Sequence, residues 1–394
     1  MTLPLPSLVA ELIDLYPELV TLRRHFHMHP ELSFEEVETP RFIASYHRKL
    51  GLDVRTGVGG RGVVAVLEGA EPGRTIAFRA DFDGLPIEDA KTVAYRSTVK
   101  GVMHACGHDL HTAALLGTAK VLSRHRDKLH GTVVFIHQFA EEVIPGGALP
   151  MIKDGCLEGV DFIYAAHVGS QYPAGTVAVG EGYRTAAGDT FAIDIMGKGG
   201  HGAMPQLTVD PLIIGSQLLL QLQLIVSRQI DPLQSAVVTV GSFQGGNAYN
   251  IIPDTARLTG TVRTFDPAIR DQVEQTIGRM TAAACDCAGA EHRYQYTRGY
   301  PALWNRPEES ARVSQLAEAL IGADNVIHDA PSMGMEDFAY YLEQCPGAFF
   351  WAGGRNPDID AVFPHHHPRF DVDERAILTI AQLFLSLVSD HERP

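Results

Sequence analysis

The chain predicts an α/β fold in two parts, a larger α/β domain interrupted by a smaller α+β insertion. Three observations predict it. Over the first 184 residues, β-branched apolar runs alternate with helical patterns of roughly 10–15 residues, as in a sheet covered by helices. From residue 185 the order becomes strand, helix, strand, strand, helix, strand, which is that of a ferredoxin-like unit with one exposed sheet face. After about residue 300 the first pattern returns. The domains are therefore expected at 1–184 plus 298–394, with the insertion at 185–297.

Each element has its own signal. Leu8, Leu12, Leu15, Leu19 and Leu22 recur at helical spacing and predict an amphipathic helix over 7–28. A second helix, 36–50, stops at Gly51. Runs 62–69 and 75–82 read as strands, 111–125 as a helix, 131–139 as a strand and 146–154 as a short helix. Residues 161–168 are almost continuously apolar, as expected of a strand with both faces covered. In the insertion, 188–196 alternates apolar and polar residues; a helix follows at 210–228, strands at 235–246 and 255–265, a helix at 267–288 and a strand at 291–297. The last stretch predicts a helix at 308–321, a strand at 348–354 and a closing helix at 373–389.

Composition narrows the function. The chain has 394 residues, enough for a large core without disulfide or zinc staples. Lys and Arg total 32 against 47 Asp and Glu, a formal charge of −15. Nucleic acid and anionic membrane are thus not expected as partners, because phosphate binding needs clustered cations. Five scattered cysteines (106, 156, 285, 287 and 345) do not form a secreted disulfide framework. The N-terminus lacks the basic start and apolar run of a signal peptide, and no apolar stretch of about 18 residues is seen. A reduced, cytoplasmic protein is expected.

Four features carry chemistry. Met103-His104-Ala105-Cys106-Gly107-His108-Asp109-Leu110-His111 places a thiol and an imidazole two residues apart before a helix. Both are ligands of borderline-soft divalent metals; a His-rich helix cap with one buried thiol is the other reading. Glu141-Glu142 follows a strand directly. The pair suits either solvated loop charges or one metal ligand beside one general base. His167 closes a buried strand, where a satisfied core histidine is common, yet ligands of open α/β sheets collect at the carboxyl ends of strands. Asp81 also falls at such an end. His365-His366-His367-Pro368 is a further ligand source if the chain returns to the first domain. Cys106, His108, a Glu, His167 and His366 are too many donors for one tetrahedral site, and suit two metals about 3.5–4 Å apart with a shared ligand.

These segments resemble the di-metal amidohydrolases that include aminoacylases, hippurate hydrolases and indole-acetyl-amino-acid hydrolases. That group is a branch of a metallopeptidase family that also holds dipeptidases and carboxypeptidases. The resemblance rests on RRHFHMHPELSFEE (23–36), AFRADFDGLPI (77–87), MHACGHDLHT (103–112), FAEE (139–142), GKGGHGAMP (197–205), NAYNIIPD (247–254), GTVRTF (260–265), MEDFAYYL (335–342) and HHHPRFDVDE (365–374). It implies a mixed-sheet, zinc-peptidase-like catalytic domain with an inserted satellite for lid or dimer contacts. It also implies two divalent ions (Zn, Mn, Co or Ni) held by Cys106, His108, Glu142, His167 and His366, with Cys106 bridging. Glu141 is then the general base, His201 an oxyanion donor that acts in a neighbouring subunit's site, and Asn250 and Arg263 holders of the substrate carboxylate. The implied substrate is an N-acyl amino acid or a similar small amide, with a dipeptidase or carboxypeptidase as the alternative; the exposed sheet face of the insertion suits a homodimer. Three departures stand out. Phe139 replaces a proline, Val143-Ile144-Pro145 alters the loop after the Glu pair, and Arg79 stands where other branches have a metal-binding His. A cysteine hydrolase using Cys106 and His108, and a non-catalytic metal-binding scaffold, are the readings from other classes.

Overall fold

The structure is a computed structural model that describes residues 5–392. It divides into two compact units, Met1–Arg184 with Trp304–Ala330 and Asp337–Pro394, and Thr185–Leu303 with Pro331–Glu336. The return from the insertion thus falls a few residues later than 298. A short segment, 331–336, also belongs to the second unit, which no composition shift announces.

The first unit is built on a mixed sheet. Its strands are β1 (Asp53–Val58), β2 (Gly62–Glu68), β3 (Glu71–Asp81), β4 (His130–Gln138), β5 (Phe162–Pro173) and β6 (Val177–Ala178), with Val326–Ile327 and Gly347–Arg355. The order is β1, β2, β4, β3, β5, Gly347–Arg355, β6, Val326–Ile327. β3 runs parallel to both β4 and β5, and Gly347–Arg355 runs parallel to β5. Helices α1 (Leu5–Met28), α2 (Glu38–Lys49), α3 (His108–Ser123) and α4 (Ala148–Lys153) accompany these strands, with Ala376–His391 at the end. α3 is buried on nearly every face, and its Leu110, Ala113, Leu115, Leu116, Ala119 and Leu122 are fully so. Such a helix belongs between layers, and α3 packs against α1, Ala376–His391 and β3.

β5 is longer than the expected 161–168, so His167 lies inside the strand rather than at its end. Even so, β5 leaves β3 at the Arg79–Ala165 pair, two residues before His167. The parallel register therefore sets His167 level with Asp81, while Asp81 itself pairs with Gln138 of β4. The ends of β3 and β4 thus meet the middle of β5 there.

The second unit has four antiparallel strands in the order Ala236–Gly245, Thr255–Thr264, Ala187–Met196, Glu291–Arg298. α5 (Pro211–Leu224) and α6 (Pro267–Ala288) cover one face, which makes the unit ferredoxin-like. Phe191, Ile193, Ile195, Leu218, Leu222, Leu258, Val262, Val273 and Ile277 form its core. Contrary to the sequence expectation, one stretch, Pro211–Gln229, is long and apolar enough to cross a membrane by length and composition. Here its Ile214, Leu218, Leu222 and Ile225 enter the core of this unit.

The first unit also buries a pair of histidines. His47 of α2 and His137 of β4 share one hydrogen bond, Nε2 to Nε2 at 2.9 Å, and both are fully buried. Burial pushes His47 down to about 3, and burial with the neighbouring His47 holds His137 well below the usual range. The unfolded chain takes up these protons near pH 6.5 and the folded chain does not. Their contribution is therefore present above pH 6.5 and is lost as pH falls toward 3. At pH 5 the loss is about 2 kcal/mol per histidine. The His47→Leu, His137→Leu double variant is expected to show a flatter decline of Tm between pH 7 and 5 than the wild type. Parallel declines would refute this assignment.

Candidate metal centre

Local sequence places the donors. Gly107 has φ +99°, and a Cβ there would lie 2.3 Å from Val168 Cγ1. Only glycine fits this turn, which ends the loop at Cys106 and starts α3 at His108. His108 is thus the first helical residue, where sequence placed it in the preceding loop. His111 follows one turn later on the same face.

The side chains converge on Cys106. Donor atoms of Cys106, His108 and His167 lie within 4.8 Å of one another, as do those of Cys106, Glu142 and His366, and those of His108, Glu141 and Glu142. Cys106 Sγ is 3.4 Å from His167 Nε2, and Glu142 Oε1 is 3.1 Å from His366 Nε2. His167 Nδ1 donates to the Val168 carbonyl at 2.8 Å, which leaves Nε2 as the lone-pair nitrogen facing the thiol. His366 has φ +64°, and its amide donates to the Ala105 carbonyl at 2.8 Å. His365 faces elsewhere: its Nε2 accepts the Ser170 amide at 3.2 Å.

The carboxylates Asp81 and Asp83 back this cluster. Asp83 Oδ1 is 3.0 Å from His108 Nδ1, and Asp83 Oδ2 accepts from the Glu142 amide at 3.1 Å and from Ser33 Oγ at 2.7 Å. One carboxylate therefore orients two donor residues at once. Asp81 Oδ1 holds His111 Nδ1 at 2.7 Å, while His111 Nε2 accepts the Val168 amide at 2.9 Å. Both nitrogens of His111 are thereby engaged in positioning. Arg79 spans Asp81 and Asp337, at 2.7 and 2.9 Å. Sequence reasoning missed Asp83, His111, Ser33 and Asp337. Their signals were the polar residues inside DFDGLP (81–86), HDLHT (108–112), ELSFEE (31–36) and MEDF (335–338), to which that reasoning assigned no separate role.

The electrostatics call for a cation. His108 Nε2 is buried and has no hydrogen-bond partner. Burial lowers the affinity of His108 for a proton, but Asp81, Asp83 and Glu142 outweigh it and push the group up to about 10. Burial, with Glu142, Glu141 and Asp81, pushes the Cys106 thiol well up. A nucleophilic cysteine needs the reverse, a lowered pKa, which counts against the cysteine-hydrolase reading. Thiol, imidazole and carboxylate donors around one orphaned His nitrogen, with His108 and His167 each oriented by its other nitrogen, fit divalent metal ligation.

The remaining site residues lie in the second unit. His201 and Asn250 are brought together: His201 pairs with Ile251 across two short strands, and the Gly202 amide donates to the Asn250 carbonyl at 2.9 Å. Both side chains are exposed, and Tyr249 beside them is wholly so. Arg263 is not with them. It is half-buried and pairs with Val237 and Gly188 near the far end of Thr255–Thr264. The rise of a strand separates it from Thr255 by about 27 Å. Within one copy of the chain, then, Asn250 and Arg263 do not share a carboxylate.

Residues 77–390 match the pattern of peptidase family M20/M25/M40. The chain is 52% identical over 368 residues to YhaA of Bacillus subtilis (strain 168), an amidohydrolase by its name, with 93% of each chain covered. It is 42% identical over 378 residues to the N-acetyl-L-cysteine deacetylase of the same organism, covering 96% of this chain and 89% of that one. Among solved structures it resembles Bacillus subtilis YXEP, described as a dinuclear metal binding peptidase. The TM-score there is 0.83 at 36% identity, with 96% of this chain and 98% of the other covered. The donor cluster and these likenesses agree: the chain belongs to peptidase family M20/M25/M40 and is an amidohydrolase.

Proposed function

We propose that this enzyme hydrolyses the amide bond of N-acyl amino acids or similar small amides, with two divalent cations per chain drawn from Zn, Mn, Co or Ni. The observation that carries the reading is that Cys106 belongs to two donor groups at once, beside Glu141. Cys106, His108, Glu142, His167 and His366 would hold the ions, with Cys106 between them. Bound there, divalent cations polarise a carbonyl and make water more acidic. Glu141 is buried, and its donor atom lies within 4.8 Å of those of His108 and Glu142. It accepts a proton from the attacking water. The water oxygen bonds to the acyl carbon, the carbon–nitrogen bond breaks, and Glu141 passes the proton to the leaving amine. His201 donates to the developing oxyanion, and Asn250 and Arg263 hold the substrate carboxylate.

The wide separation of Asn250 from Arg263 supports a homodimer, in which one copy supplies Arg263 and the other Asn250 and His201. So does the surface of the second unit. Ile213, Leu220 and Leu224 of α5 are 58%, 68% and 46% exposed, and Ala236–Gly245 is an edge strand. An apolar helix face beside an open edge suits a second copy. Sedimentation velocity is expected to show a dimer that Leu220→Glu dissociates; a monomeric wild type would refute this. The net charge of −15 counts against nucleic acid and anionic membrane as partners. The five free cysteines support the cytoplasm as its compartment, which cell fractionation tests.

The deciding assay follows release of free amino acid from a panel of N-acyl amino acids and dipeptides, before and after chelation. Acyl amino acids are expected to be cleaved, with activity lost on chelation and restored by divalent ions. Cleavage of dipeptides alone would move the reading to a peptidase. Chelator-resistant activity would overturn the metal mechanism.

A further inference from the structure

A buried carboxyl that takes no part in the donor cluster lies directly behind Glu141. Glu36, between α1 and α2, is 1% exposed. Its Oε1 accepts the Ala140 amide at 2.9 Å. Its Oε2 has no hydrogen-bond partner; Arg61 Nε is 3.9 Å away. Ala140 is a non-glycine residue at φ +50°, a left-handed conformation that persists only when surrounding contacts impose it. The carbonyl of the same residue accepts the Gly147 amide at 3.1 Å. Ala140 is therefore held from both sides, and the next residue is Glu141.

The segment bearing Glu36 braces the loop at two more points. Phe34 meets Phe139 edge to face, with ring centres 5.8 Å apart, and Ser33 bonds to Asp83. Burial, with Asp83 nearby, pushes the Glu36 carboxyl up to about 8. A neutral carboxyl still accepts the amide hydrogen and adds no negative charge behind Glu141.

We infer that Glu36 is a positioning residue for the amide hydrolysis, holding the strained Ala140 turn so that Glu141 is aimed at its water. The inference rests on Glu141 being the base. A misaimed catalytic group costs turnover rather than binding, and a displacement of about 1 Å is worth about 10²-fold.

The test compares Glu36→Leu, Glu36→Gln and Glu141→Gln, each as the metal-loaded full chain, on the N-acyl amino acid cleaved fastest by the wild type. Glu36→Leu is expected to lower kcat about 10²-fold with KM and metal content unchanged. Glu36→Gln, which keeps an acceptor oxygen, restores kcat to within about 3-fold of wild type on the same reasoning. Hydrogen exchange gives a readout apart from activity: a peptide spanning 139–142 exchanges faster in Glu36→Leu, and Glu36→Gln restores its protection. Wild-type kcat or wild-type protection in folded Glu36→Leu would overturn the inference. So would a loss that Glu36→Gln fails to rescue. If Glu36→Leu does not fold, Glu36→Asp replaces it, since its carboxyl withdraws by one methylene; wild-type kcat there overturns the inference equally. Wild-type turnover by Glu141→Gln would instead remove the reading on which it rests.

Discussion

Glu141→Gln is expected to lose about 10²–10⁴-fold in kcat while keeping its metal. The amide has nearly the volume of the carboxyl and preserves the packing of a residue that is 7% exposed. It cannot take a proton from water. The five proposed ligands do not include Glu141, so metal content measured by elemental analysis should match the wild type. Glu142→Gln gives the contrast. Glu142 Oε1 lies 3.1 Å from His366 Nε2, and its loss is expected to lower metal content and activity together. Adjacent residues thus separate by readout, one through chemistry and the other through ligation. A Glu141→Gln variant with wild-type kcat would show that the proton goes elsewhere. One that lost metal would make Glu141 a ligand.

The contrast between these neighbours also shows where sequence was informative. Cys106 and His108 were legible because their chemistry sits inside one turn, which Gly107 closes. The Glu pair was legible because it follows the end of β4, and His167 because β5 brings it level with the end of β3, although the strand runs on past it. The supports were not legible. Asp337 reaches Arg79 across 258 residues, and Glu36 reaches Ala140 across 104. No local pattern distinguishes such carboxylates from solvated ones. His366 was the histidine of the triplet named from sequence, by its spacing to Pro368, and it does join Cys106 and Glu142; the left-handed backbone and the bond to Ala105 that bring it there are not encoded by the triplet. The two-residue strands Val177–Ala178 and Val326–Ile327 are too short to carry a period. The strand expected at 255–265 already implied that Asn250 and Arg263 lie far apart within one copy, so that holding one substrate carboxylate between them needs two copies of the chain.

Arg79→Met is expected to destabilise the fold by about 3–5 kcal/mol, the cost of leaving buried charge uncompensated. Arg79 is 2% exposed, and its fork reaches Gln138 Oε1 at 2.9 Å, Asp81 Oδ2 at 2.7 Å and Asp337 Oδ1 at 2.9 Å. Arg79→Lys should fall between the two, because a point charge cannot bridge two carboxylates as the planar fork does. The sign of the pH effect follows from Asp337. Burial pushes this carboxyl up, and Arg79 opposes that rise. Without Arg79 the folded-state pKa rises further, while the unfolded value stays near 3.9. Between those values the unfolded chain releases a proton that the folded chain keeps, so stability falls as pH rises. The deficit of Arg79→Met in urea unfolding should therefore be larger at pH 8 than at pH 5.5, and Asp337→Asn in the same chain should recover part of it. A deficit below about 1 kcal/mol would mean that the two carboxylates are solvated or already neutral. Function is tied to the same guanidinium. Asp81 holds His111, and His111 holds the Val168 amide beside His167. Loosening Arg79 should thus weaken metal binding through His167 even where the chain still folds.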